Sequence, residues 1–420
     1  MLSDLVVSNS ILLNIALILF VIAYRYKVEK DRVFFDACTY YIILTVLYVL
    51  IPAYIYIDTG KTLVGSSYST IQLYANYSLY YSSVLTIYYI FNGIISALKK
   101  SHSSNQSDSN ILVSHGVIIC IYLLLIIYVI AVYSTQLPSI SSLWSDRAMA
   151  SLITNDINKY YKTQFIFVVI VSLVIYLVKR YSEYRFILLL MPFVVIDLIT
   201  TSRGFLFQTL FIYILTLLIT NKKVPAFKVL LLSICIAFFA VIRVIWYRDF
   251  QIDEFFIIPR ELLNTAEATF LVIESSSSIN AFHTILFAIG KVFSPQLVNL
   301  LAGKVPHVGS ILASDSPLHF GLGGSLLSEA FSFKSTLMLI IYPIITAIYL
   351  TIINYFVRRF GFFGLIIFAF YLLSIKTIFR TGLIFTSMEP FYYFIYAMAW
   401  YWLLSLINKN SINFIPQKEN

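Results

Sequence analysis

The chain has 420 residues, 60% of them hydrophobic and 12% charged, with a formal net charge of +9 and a mean hydropathy of +0.87. Soluble domains run near a quarter charged, so this composition excludes a large water-soluble protein and points to an all-α polytopic membrane protein. The positive balance reads as the Lys and Arg excess of cytoplasmic loops rather than as a nucleic-acid surface.

A helix that crosses a bilayer needs about 20 mostly apolar residues. Eleven stretches are predicted to do so, at 5–24, 36–57, 71–98, 111–133, 164–178, 184–201, 204–220, 226–247, 336–356, 361–380 and 389–407. The fifth and seventh are short, and only Ser202 and Arg203 separate the sixth from the seventh. The first is followed by Arg25, Lys27, Lys30 and Arg32, as expected of an uncleaved anchor and not of a signal peptide. Every second connection after it is also basic: Lys99 and Lys100; Lys179, Arg180 and Arg185; Lys222, Lys223 and Lys228; Arg358 and Arg359. Lys409 and Lys418 follow the last span. All of these fall on one side if the N-terminus is external and the C-terminus cytoplasmic, the arrangement that eleven spans also demand. Cys38, Cys120 and Cys235 lie in apolar runs with no C-x-x-C pair, which predicts inert buried thiols rather than disulfides or a thiolate metal site.

With no Pro- or Gly-rich linker, residues 1–420 are expected to form a single membrane domain. Its longest connection, 248–335 between the eighth and ninth spans, is predicted to be external. Within it, RELLNTAEATFLVIES spaces Leu262, Ala266, Phe270 and Ile273 along one helical face. AFHTILFAIGKVF, Ala281 to Phe293, is apolar but too short to span and is expected to lie in or dip into the interface. No internal repeat is visible, which weighs against an inverted-repeat transporter.

Six arginines fall on the external side: Arg147, Arg203, Arg243, Arg248, Arg260 and Arg380. Arg203, Arg243 and Arg380 sit in apolar surroundings, where a guanidinium is costly and is normally paired or aimed into a functional cavity. Asp197, Asp249 and Glu389 are candidate counter-ions. Several such arginines near one face favour a shared anion, because guanidinium binds phosphate oxygens bidentately and stays charged. No Walker-type G-x-x-x-x-G-K-[ST] is present, so the expected anion is a lipid-linked phosphate or pyrophosphate contacted by Arg203, Arg243, Arg248 and Arg380.

The loop closes on HFGLGGSLLSEAF, His319 to Phe331. Gly321, Gly323 and Gly324 allow a tight turn and close approach of a ligand, and Ser325 to Glu329 is expected to start a helix. His319 and Glu329, with His307 and Asp315, are the titratable candidates for chemistry in this part of the loop. The competing reading of Glu329 is a helix-start carboxylate favoured by the macrodipole. Tyr74, Tyr77, Tyr81 and Tyr88 form a stripe that could line a sugar groove, although packing is the commoner use of such a stripe. No metal-ligand spacing appears and Asp58 stands alone in the first external loop, so neither a metal nor another cofactor is expected.

The many-spanned layout, Ser202-Arg203-Gly204, the long external loop and G-L-G-G-S-L-L-S-E-A-F resemble the Wzy-type O-antigen and oligosaccharide repeat-unit polymerases. The resemblance implies glycosyl transfer at the periplasmic face of the bacterial inner membrane. A glycan on undecaprenyl pyrophosphate would pass to a sugar hydroxyl of a second lipid-linked repeat unit, without metal or nucleotide sugar. That hydroxyl would need a base, for which His319 and Glu329 are the candidates, followed by His307 and Asp315. It also implies a flippase and a chain-length regulator as partners, besides the membrane lipid itself. The O-antigen ligases share this layout and are the near alternative. A lipid-linked oligosaccharide flippase is the alternative of another class, and it would carry charges along a central cavity and two similar halves.

Overall fold

The computed structural model describes chiefly residues 2–29, 36–98, 260–293, 325–359 and 361–407. The chain forms two compact units, residues 1–106 with 257–392 and residues 107–256 with 393–420. Nearly all the described residues belong to the first. They are helical, with no strand among them. In chain order they form α1 (Leu2–Glu29), α2 (Ala37–Thr59), α3 (Tyr68–Leu98), α4 (Arg260–Glu274), α5 (Ala281–Phe293), α6 (Leu326–Ser332), α7 (Thr336–Arg359), α8 (Gly361–Thr381), α9 (Leu383–Thr386) and α10 (Glu389–Ile407).

Three of these, Asp4–Glu29, Ala37–Thr59 and Thr336–Arg359, are long and apolar enough to cross a membrane, which marks the chain as a membrane protein. The predicted first, second, third, ninth, tenth and eleventh spans coincide with α1, α2, α3, α7, α8 and α10 to within a few residues. The predicted fourth to eighth spans lie outside the described residues, apart from isolated positions.

Local sequence explains the irregularities. Asp36 caps α2, its carboxylate accepting from the Cys38 N–H at 2.9 Å. Pro52 cannot donate to the carbonyl four residues back. The ladder upstream of it widens into a π-helical turn at Val46–Leu50, and the Ile51 N–H bonds to the Val46 carbonyl. Gly60, at φ +62°, ends α2 in the left-handed conformation.

In α7, Pro343 deprives the Leu339 carbonyl of its intrahelical donor. The Tyr77 hydroxyl fills that gap at 2.9 Å, and the Tyr80 hydroxyl reaches the next carbonyl, Ile340, at 3.0 Å. Farther along the same pair of helices, Tyr81 bonds Thr346 (3.1 Å) and Tyr88 bonds Thr351 (2.7 Å). These four contacts ascend both helices together, so α3 and α7 run parallel. Contacts of Asp4 with Gln72, Asn14 with Ser83 and Arg25 with Asp36 and Asn92's neighbour Gly93 likewise align α1 with α3.

The predicted amphipathic helix is present as α4, with Ala266 and Phe270 buried as its pattern requires. It is buried more widely than a surface helix, because Thr265, Glu267, Ala268 and Thr269 are also inside. The reason is that α4 is wedged against α2 and α3. Phe270 meets Tyr56 and Tyr74 edge-on, with centroids 4.9 and 5.1 Å away. Glu267 accepts the Val64 N–H at 3.2 Å. Glu274 accepts from the Ser67 N–H (2.9 Å), Ser66 (3.2 Å) and Thr70 (2.9 Å), placing a carboxylate at the N-terminus of α3. The C-terminal carbonyls of α4 are met by Lys334, whose Nζ donates to Val272 at 2.6 Å and Ile273 at 3.2 Å. Partial burial lowers the pKa of that ammonium below its ordinary value.

Candidate functional site

Of the predicted site residues, Ser325, Glu329 and Arg380 are among those described. His319, Arg203, Arg243, Arg248, Gly321, Gly323 and Gly324 lie outside the described residues, as do His307 and Asp315.

Ser325 starts α6 as predicted. Its extended backbone (φ −134°, ψ 166°) puts its Oγ within 2.9 Å of the Ser328 N–H, and the Ser328 hydroxyl turns back to the Ser325 N–H, closing a capping box. The Ser325 hydroxyl also meets Thr269 of α4 at 2.5 Å. The N–H of Ser328 is therefore satisfied within the protein.

The box fixes Glu329 in the first turn of α6, where its carboxylate is 2% exposed. Its Oε2 accepts from the Tyr342 hydroxyl of α7 at 2.5 Å and from the Ile384 N–H of α9 at 2.8 Å. The Tyr342 oxygen accepts in turn from the Leu383 N–H at 3.1 Å. Gly382 has φ +116° and ψ 154°, a conformation open essentially to glycine alone, and supplies no side-chain cap to α9. Glu329 thus does for α9 what a local Ser or Asp normally does. The Gly382 backbone lies so close that a Cβ there would clash with the carboxyl group, 2.7 Å from each oxygen.

Arg380 is exposed at the end of α8, two residues before Gly382. The end of α8 therefore packs on the element that carries Glu329. Glu329 is thus held against the turn that follows Arg380, two residues beyond it in the chain. Lys376, one turn earlier on α8, is exposed on the same face as Arg380. Neither cation is isolated, since both have interactions within the chain.

Sequence reasoning missed Tyr342, Gly382 and Glu329's role as a remote cap. The Gly in Arg-Thr-Gly-Leu between two apolar runs was a visible turn signal, whereas Tyr342 is one tyrosine among 32. The tyrosine stripe takes its packing reading. Tyr74, Tyr77 and Tyr81 are buried, and each of the four hydroxyls bonds a group on another helix or turn: Val49, Leu339, Tyr41 with Thr346, and Thr351.

A second buried node joins the far ends of the helices. Arg25, read from sequence only as an orientation charge, is 3% exposed and bonds Asp36 at 2.7 Å and Glu29 at 2.8 and 2.9 Å. It also lies 4.3 Å above the Tyr89 ring. Asp36 accepts further from Asn92 (3.0 Å) and Asn354 (2.7 Å), and the Asn354 side-chain oxygen takes the Ala37 N–H at 2.8 Å. Every oxygen of Asp36 is thus engaged, as expected of a structural ion pair in an apolar bundle. Among the described residues no group of three or more His, Cys, Asp or Glu could hold a metal ion.

The chain matches no protein-family model, no curated protein and no solved structure.

Proposed function

We propose that the chain is a membrane glycosyltransferase of the repeat-unit polymerase type, acting on polyprenyl-pyrophosphate-linked oligosaccharides at the periplasmic face of the bacterial inner membrane. One observation carries the reading. Glu329, chosen from sequence on chemical grounds, is held against the α8–α9 turn that follows Arg380, just before the chain enters α7.

In the reaction the bond from the donor's anomeric carbon to pyrophosphate oxygen breaks, while a new bond forms to an acceptor hydroxyl oxygen. The leaving pyrophosphate keeps the electron pair, and fixed guanidinium groups offset the charge that develops there. In this reading Arg380, which is exposed, serves that task, as the sequence-based assignment also asks of Arg203, Arg243 and Arg248. The hydroxyl proton passes to a base, His319 or Glu329. Glu329 is 2% exposed and its Oε2 already holds two donors, so its geometry suits positioning the α8–α9 turn, and His319 is the better candidate for the base. No metal or nucleotide is required by this scheme.

The deciding experiment is deletion in the parent bacterium followed by gel analysis of surface polysaccharide. A single repeat unit on the lipid core supports the polymerase. Loss of every repeat unit points instead to a ligase or flippase. Arg380→Ala should reproduce the deletion while the protein still reaches the membrane, and normal polymer from that variant removes Arg380 from the site.

A further inference from the structure

Helix α5 has two apolar faces. Thr284, Phe287 and Ala288 point inward, on a helix that packs against α9, the short helix whose N-terminus Glu329 holds. On the opposite side Phe282 (65% exposed), Ile285 (36%), Leu286 (46%) and Ile289 (44%) recur at i, i+3, i+4 and i+7 and form one exposed stripe. Ala281–Gly290 contains no Asp, Glu, Lys or Arg, and its one titratable residue, His283, is exposed in the first turn beside the Asn280 cap. Thirteen residues of helix measure about 20 Å, short of a hydrocarbon core about 30 Å thick.

A helix apolar on both faces needs apolar surroundings on both. Protein covers one face here. Lipid is the occupant that fits the other, because α9 joins α8 directly to α10, two apolar helices of 21 and 19 residues, and α7 beside them exposes Leu337, Ile340, Ile344 and Ile348 in the same way. The N-terminal end marks the water boundary. Asn280 caps it, its side-chain oxygen accepting from the Phe282 and His283 N–H groups at 3.0 and 3.2 Å, after a polar Ser275–Ser278 run with Ser276 and Ser278 exposed.

We propose that α5 is a partly immersed membrane helix that does not cross, with its Phe282–Ile285–Leu286–Ile289 face covered by bilayer acyl chains and its Asn280 end at headgroup level. This stands apart from the proposed reaction. It places lipid on the far side of α5 from α9 and makes this part of the segment a membrane element rather than a soluble loop.

The test is site-directed spin labelling of the full-length protein in proteoliposomes. Cys38, Cys120 and Cys235 are first replaced, and single cysteines are then placed at Phe282, Leu286 and Ile289, with Ser276 as the aqueous reference. All four positions are surface sites, and each variant is checked for a monodisperse elution peak. Oxygen should relax labels at 282, 286 and 289 several-fold more than a water-soluble nickel chelate, with the reverse at 276. Nickel-dominated relaxation along the stripe would place α5 in water and overturn the proposal. Weak relaxation by both agents would mean protein covers the face, and overturns it equally.

Discussion

Glu329 and Gly382 are coupled tightly enough for a double-mutant cycle to measure. Gly382→Ala meets two penalties. The backbone at φ +116°, ψ 154° lies outside the regions open to L-residues, and holding alanine there costs about 1–3 kcal/mol. The new methyl also falls on the Glu329 carboxyl group, an overpacking that costs about 1–3 kcal/mol more. Glu329→Ala instead removes the acceptor of the Ile384 N–H and Tyr342 hydroxyl, each of which costs about 1–3 kcal/mol when left buried and unpaired.

In the double variant the methyl occupies space the carboxylate has left, so the overpacking part disappears while the backbone part remains. The pair should therefore be less destabilised than the sum of the singles by about 1–3 kcal/mol. Unfolding curves of the four proteins in mixed micelles give the coupling directly. Additivity to within about 0.5 kcal/mol would show that the two groups do not meet, and the account of this junction would fail. Glu329→Gln should lose less than Glu329→Ala, because an amide oxygen can accept both donors.

Tyr77→Phe should cost about 1–3 kcal/mol by orphaning the Leu339 carbonyl, and Pro343→Ala should largely cancel that cost by restoring the intrahelical donor; an unchanged cost in the Pro343→Ala background would refute the pairing. Asp36→Ala should lower stability by about 1–3 kcal/mol, since Arg25 Nη1, Asn92 and Asn354 lose a buried acceptor while Glu29 still pairs the guanidinium, and no measurable loss would mean water reaches the node. Gly93→Ala should push its methyl against the Arg25 side chain, whose Nε would lie only 2.8 Å away; unfolding measured in an Arg25→Ala background should show much of that penalty relieved. Lys334 holds φ +48°, so Lys334→Gly should be more stable than Lys334→Ala by about 1 kcal/mol, with both below wild type because the bonds to Val272 and Ile273 are lost.

Helices long enough to cross a membrane were legible because an apolar run of bilayer length needs no tertiary information, and α1, α2 and α7 follow from hydropathy alone. The helix start at Ser325 was readable because Ser-x-x-Ser before Glu329 is a local capping pattern. The partners of Glu329 were not. Tyr342 is 13 residues away and Ile384 is 55 away, and nothing in an apolar run says which tyrosine turns inward. Arg25 misled for the complementary reason: a basic residue at the end of a span serves orientation and a buried ion pair with the same sequence signature.

The tyrosines of α3 show why a membrane bundle keeps polar groups where leucines would insert more readily. Aliphatic side chains pack α3 on α7 almost equally well in several registers, since lipid offers them the same contacts. Hydroxyls do not, because each must find an acceptor in a medium without water. Sliding α7 by one turn, about 5.4 Å, would break the bonds of Tyr77, Tyr80, Tyr81 and Tyr88 together and expose the carbonyl that Pro343 leaves free. Register fixed in this way reaches both ends of α7. It sets Asn354 against Asp36 at one end and Tyr342 against Glu329 at the other. The position of the α8–α9 turn beside Arg380 thus depends on a ladder that touches neither. On this reasoning a tyrosine-to-phenylalanine change on α3 disturbs the candidate site through register, and its effect on Arg380 should grow with the number of rungs removed.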